Sequence, residues 1–180
     1  MSKKVLIIST SLRPNANSEI LARETERGAL DAGCEVEFVT LKDKEIKFCK
    51  GCLACQQLGK CVINDDANEI TAKMKKAEVI VWATPVYYYE MSGQMKTLID
   101  RANSLFATGK NFTGIYVITT SADSSKGVIQ TVLNGVKGWV ACFRGVELKG
   151  FLEAGGLDNP NDVNSRKDLL EQAYNMGKNI

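Results

Sequence analysis

The chain contains no histidine. That removes the commonest side chain for acid–base work near neutral pH and the commonest nitrogen ligand for metals. Ser–His and Cys–His hydrolytic mechanisms are excluded, as are zinc sites that use histidine. A lopsided charge is also missing: 23 basic and 21 acidic residues, mixed along the sequence, leave a net charge of +2. That balance gives no case for a nucleic-acid or membrane partner. Long apolar runs are absent as well. Runs such as VIVWA fall far short of a membrane span, and the opening MSKKVLIISTS is too short in apolar residues for a secretory leader. The expectation is a cytoplasmic chain whose thiols stay mostly reduced. Its chemistry must then come from a cofactor, from cysteines or from carboxylates.

What the sequence does have is a globular composition, 44% hydrophobic and 24% charged over 180 residues, which suits one domain over 1–180. VLIIST (5–10), VIVWATP (79–85) and GIYVITTS (114–121) are apolar runs rich in β-branched residues, as expected of strands buried on both faces. EVEFVTL (35–41) alternates and suits an edge strand. VELKGFLEAG (146–155) is the fifth strand. Helices are expected over 19–32, from Asp65 or Asp66 to 77, over 93–106, over 128–143 and over 165–178. Glu69 is spaced to complete a capping box with Asp66, while Asp100 and Arg101 read as structural ion-pair residues. Strands alternating with helices predict right-handed βαβ units in a doubly wound five-stranded parallel sheet, order 2-1-3-4-5, with helices on both faces. Ligands of such sheets bind beyond the carboxyl ends of the strands, where the winding reverses.

Three loops fall there. STSLRPNANS (9–18) carries four hydroxyls, two asparagines and an arginine, and opens a helix. Its hydroxyls and backbone amides suit a phosphate monoester, aided by the helix dipole. It is neither GxGxxG nor a Walker A loop; the bland alternative is a well-capped helix start. TPVYYYEMSG (84–93) offers three tyrosines after a buried strand, for a flat ring or for an interface. TTSADSSKG (119–127) offers polar groups to a ring edge.

Four of the six cysteines stand at positions 49, 52, 55 and 61, a C-x2-C-x2-C-x5-C spacing. The first three match the run of thiolates that wraps an iron–sulfur cube. Zinc fits poorly, since all-thiolate zinc sites use two separated knuckles. Buried packing thiols and a redox-active pair remain open alternatives. Cys34 and Cys142 are expected to be buried hydrophobes.

TSLRPNANS, ATPVYYYEMSGQMKTLIDR and CKGCLACQQLGKCVINDD together resemble the NADPH-dependent FMN reductase group of flavodoxin-like proteins, over essentially the whole chain. The resemblance implies that Ser9, Ser11, Arg13, Asn17 and Ser18 belong to the phosphate loop. It implies that Pro85, Val86, Tyr87 and Tyr88 line the isoalloxazine, and that Thr119, Thr120, Ser121 and Ala122 approach its pyrimidine edge. Thr10 stands where the group usually has glycine, Leu12 where it often has proline, Ser18 where threonine is usual and Ala122 where glycine is common. The iron–sulfur flavoproteins, a branch of this group, have similar cysteine spacing, which implies Cys49, Cys52, Cys55 and Cys61 as ligands of a [4Fe–4S] cluster. The implied function is electron transfer from NAD(P)H through FMN to a quinone, flavin or other small acceptor. The cluster branch would instead trade electrons between a ferredoxin-like partner and FMN. A homodimer or homotetramer is implied in either case. A flavodoxin-type carrier is a rival that the absence of strong acidity disfavours, and a regulatory FMN-binding protein is another.

Overall fold

The computed structural model describes residues 2–125 and 127–180. Strands β1 (Lys4–Ser9), β2 (Glu35–Thr40), β3 (Val79–Tyr87), β5 (Gly114–Thr120) and β6 (Glu147–Ala154) form a parallel sheet in the order β2-β1-β3-β5-β6, and the two-residue β4 (Glu90–Met91) pairs back on β3. Without that short return strand the order is the expected 2-1-3-4-5. Side chains alternate across the central strands. Leu6, Ile8, Ile80, Trp82, Ile115 and Val117 face one apolar cluster, while Val5, Ile7, Val79, Val81 and Ile118 face the other. A strand apolar on both sides must be covered on both, and helices do this. Helices α3 (Asp66–Lys76), α4 (Gly93–Arg101) and α6 (Gln130–Ala141) supply the first cluster; α1 (Asn17–Asp31) and α7 (Lys167–Lys178) supply the second. Each fully buried aliphatic side chain contributes about 1.5–3 kcal/mol.

Several boundaries differ from expectation for identifiable reasons. β3 runs past Pro85 to Tyr87 because Val86 and Tyr87 pair with Met91 and Glu90. The helix expected over 93–106 ends at Arg101, and α5 (Ser104–Thr108) restarts after it, packing against α2 (Ala54–Leu58), a turn of helix inside the cysteine segment. The cap of α3 is Asp65, which accepts from the Ala67 amide; Asp66 turns instead to the Glu45 amide and Lys44, and Glu69 pairs with Lys73. Cys34 is only half-buried, and Cys142 is exposed, its thiol on the Gly138 carbonyl. Position 142 lies about 200° around the helix from buried Val140, off the apolar stripe of α6.

Helices α1 and α7 touch backbone to backbone. A Cβ on Gly177 would sit 2.0 Å from the Thr25 carbonyl oxygen, and one on Gly28 2.0 Å from that of Tyr174. The Thr25 hydroxyl adds a bond to the Ala173 carbonyl at 3.0 Å. Gly177→Ala is therefore expected to cost about 1–3 kcal/mol or more by overpacking. A urea melt checks this, and an unchanged midpoint would contradict the close approach.

Candidate functional site

The winding reverses between β1 and β3, and the first two loops are fastened together at that point. The Thr10 amide and hydroxyl both bond the Ala83 carbonyl, at 2.9 and 3.0 Å, and the Thr10 and Ser92 hydroxyls meet at 3.0 Å. Thr10 has one hydrogen, used on Ala83, so Ser92 donates to Thr10 while accepting from the Met95 amide at the start of α4. The Ser92 amide donates to Thr84. A glycine at position 10 lacks this hydroxyl, so the departure from the usual loop ties the first loop to the second.

Beyond this junction lies a cleft of about 220 Å³. Ser11, Arg13, Asn17 and Ser18 line it from the first loop, Pro85, Val86 and Tyr87 from the second, and Thr120, Ser121 and Ala122 from the third. Helix α1 opens at Ala16 without a side-chain cap, so its first amides lack the usual acceptor. The Ser18 hydroxyl is buried without a partner, as is that of Ser9 at the end of β1. Uncapped amides, an orphaned hydroxyl and Arg13 form a donor-rich set, which fits the phosphate of FMN. Arg13 is steadied by the Asp158 carbonyl at 2.9 Å. The Asn17 amide is already engaged, donating to the Asn159 carbonyl and accepting from the Val163 amide. Ser9, Tyr88 and Thr119 lie outside the cleft lining; the Thr119 hydroxyl bonds the Leu152 carbonyl at 3.3 Å.

Sequence reasoning missed a fourth wall. Leu157, Asp158 and Pro160, from the loop after β6, line the same cleft. The Asn161 amide reaches the Asn15 carbonyl, and the Leu157 amide that of Ser121, so this loop binds the first and third together. Its signal was a Gly-Gly pair and an Asn-Pro turn at the carboxyl end of a strand. Gly155 is required there: a Cβ would lie 2.8 Å from the Asp123 carbonyl oxygen.

The tyrosine run makes a two-residue hairpin turn. Tyr87 pairs with Glu90, and Tyr88 and Tyr89 between them have φ of +50° and +64°. Tyr88 is fully exposed at 101%, and the Tyr89 hydroxyl reaches Asp123 at 3.4 Å.

The four cysteines of the 49–61 segment share a small cavity, about 40 Å³, with Arg101 and Asn103 behind them. All are free thiols. Among the described residues no three metal-ligating side chains converge closely enough to hold an ion. The donor type suits an iron–sulfur cluster: four cysteines line one cavity, with the Cys49 sulfur accepting from the Gly51 amide at 3.4 Å and that of Cys55 from the Asn103 side-chain amide at 3.5 Å. The floor is an ion pair between Arg101 and Asp65, whose side chains are 0% and 1% exposed. Burial alone would raise the Asp65 pKa. The Arg101 hydrogen bond and the Lys47 and Ala67 amides outweigh it and hold the carboxyl below its usual range. The resulting stability is present above the unfolded pKa of about 4 and is lost as pH falls through the lower folded value. Asp65→Asn is expected to cost about 3–5 kcal/mol near neutral pH, because Arg101 is left buried and uncompensated. Stability measured by denaturant melts between about pH 4 and pH 2 should then fall less steeply in the variant than in the parent chain.

Comparison with known proteins agrees with this architecture. Residues 3–152 match the NADPH-dependent FMN reductase family. An iron–sulfur flavoprotein of Methanocaldococcus jannaschii is 45% identical over 102 residues, 57% of this chain and 53% of that protein. A Bacillus subtilis protein provisionally named an NAD(P)H-dependent FMN-containing oxidoreductase is 24% identical over 97% of both chains. The chain spans about half the length of the first of these relatives. In fold it is similar to an NAD(P)H:quinone oxidoreductase from Methanothermobacter marburgensis, with a TM-score of 0.72 at 16% identity over 99% of this chain and 97% of that one. A flavodoxin-like sheet, a donor-rich cleft at its winding reversal and a match over residues 3–152 make the chain a member of the NADPH-dependent FMN reductase family.

Proposed function

We propose that the chain is an FMN-dependent oxidoreductase that takes electrons from NAD(P)H and passes them to a quinone, a flavin or another small acceptor, and that residues 1–180 form one FMN-binding domain. The observation that carries this reading is the buried, partnerless Ser18 hydroxyl beside the uncapped start of α1. Leaving a buried polar atom unpaired costs about 1–3 kcal/mol, and a bound phosphate oxygen would remove that cost. Arg13 would add charge, and Ser11 a further hydroxyl. Pro85, Val86 and Tyr87 would hold the flat part of the ligand, with Thr120 and Ser121 at its polar edge. FMN, when bound, supplies the transfer of a hydride or of single electrons. The chain's own residues bind and orient, which agrees with the absence of histidine.

A second reading is favoured by the four thiols on one cavity and by relatives named iron–sulfur flavoproteins. In it Cys49, Cys52, Cys55 and Cys61 hold a [4Fe–4S] cluster that exchanges electrons between a ferredoxin-like partner and FMN. Exposed apolar side chains near that segment, Phe48, Leu53, Leu58, Val62 and Phe106, support a homodimer or homotetramer under either reading. Among the described residues no helix is long and apolar enough to cross a membrane.

Anaerobic purification followed by flavin, iron and sulfide assays separates the readings. One flavin with about four irons per chain selects the second; flavin without iron, with turnover of NAD(P)H, selects the first. A chain unable to take up added FMN overturns both. Replacing Arg13 and Ser18 together by alanine should weaken FMN binding about tenfold to hundredfold, as expected for lost hydrogen bonds to a charged group; a fluorescence titration measures it. Cys52→Ala should abolish any iron signal and leave FMN affinity unchanged.

A further inference from the structure

Arg101 sits behind the cysteine segment and grips both of its ends. One terminal nitrogen donates to the Lys47 carbonyl at 2.7 Å and to Asp65 at 2.5 Å; the other donates to the Ile63 carbonyl at 3.1 Å and to Asp65 at 2.8 Å. Asp65 in turn accepts from the Lys47 amide at 2.9 Å. Lys47 lies two residues before Cys49 and Ile63 two residues after Cys61, so a single guanidinium ties the two ends of the loop that carries all four clustered thiols. Asn68 adds a lock at the far end, accepting from the Cys61 amide and donating to the Cys61 and Ile63 carbonyls. The segment has few other means to hold its shape. Leu53 takes a left-handed conformation, α2 is one short turn, and Phe48, Leu53, Leu58 and Val62 are exposed. A loop of this kind would lose much entropy on gathering four sulfurs unless its ends were already fixed.

We propose that Arg101 is the positioning residue of the thiol site: it preassembles the cysteine loop by fixing its two ends before any metal arrives, and it turns the positive end of its ion pair with Asp65 toward the thiol cavity. The charge half of this inference rests on the reading that the segment holds a cluster; the preassembly half does not. The guanidinium is the suitable group, because its planar fork makes four hydrogen bonds at once, to two carbonyls and to both oxygens of one carboxylate, whereas an ammonium has three donors and no fork to match a carboxylate.

Two variants separate positioning from plain support. Arg101→Met removes a positive charge and Asp65→Asn removes a negative one, yet both open the same clasp. Hydrogen exchange on the metal-free chain reads the first half. The Lys47 and Cys61 amides should be protected in the parent chain. In either variant, exchange within residues 47–63 should rise on the order of a hundredfold, while β1, β3 and β5 stay protected. Unprotected amides in the parent chain, or unchanged exchange in both variants, would overturn preassembly; the parent-chain measurement decides even if a variant fails to fold. The midpoint potential of the reconstituted cluster reads the second half. Arg101→Met should shift it negative, Asp65→Asn should shift it positive, and Arg101→Lys should restore the potential without restoring slow exchange. A purely structural clasp would move both variants the same way, which would overturn the charge half. A parent chain that takes up no iron from ferrous ion and sulfide would overturn the cluster reading and that half with it, leaving preassembly to the exchange data.

Discussion

A parallel sheet that is apolar on both faces dictates most of this molecule. Its strands cannot be joined by hairpins, so each connection must be a crossover, and helices must cover both sides. Once the two layers are in place, the faces are spent on packing. The chain has only its strand ends left for polar groups. Here the carboxyl ends of β1, β3, β5 and β6 all contribute to one cleft. The cleft is thus a consequence of topology, and its chemistry depends on which residues occupy four loops.

Those loops are joined by hydrogen bonds that cross large sequence separations. Thr10 and Ser92 connect the first to the second, Leu157 and Ser121 the fourth to the third, and Asn161 and Asn15 the fourth to the first. Such a set makes the cleft a collective property. Its polar groups are paired with each other where they support the walls, and Ser18 is left unpaired where a ligand would sit. The cysteine site is organised on a different plan. It lies off the sheet, on a segment with little core of its own, and its ends are tied by one buried guanidinium, with Asn68 holding the Cys61 end.

The parts of this structure that were legible in the sequence are those set by local pattern. The runs around Ile7, Val81 and Val117 read as buried strands because both faces are apolar, and EVEFVTL read as an edge because it alternates. The cap of α3 was legible only to within one residue: Asp65 or Asp66 precedes the helical pattern, and the capping box expected between Asp66 and Glu69 does not form. What escaped was set by distant contacts. The wall from Leu157 to Pro160 belongs to the cleft through bonds to residues at the other end of the chain. The break after Arg101 was hidden because Leu105 continues the apolar stripe, while the restart at Ser104 answers to α2, more than forty positions upstream. Arg101 itself read as an ordinary ion-pair residue, since its carbonyl partners at 47 and 63 carry no side-chain signature.

The turn at Tyr88 and Tyr89 holds two large side chains on a left-handed backbone. Two successive left-handed residues suit Asn-Gly, and side chains with a Cβ give up about 1–2 kcal/mol each in that conformation. Tyr88 recovers none of this through burial, since its ring is wholly in solvent. The hairpin tip thus holds an aromatic ring in solvent at a cost in folding stability.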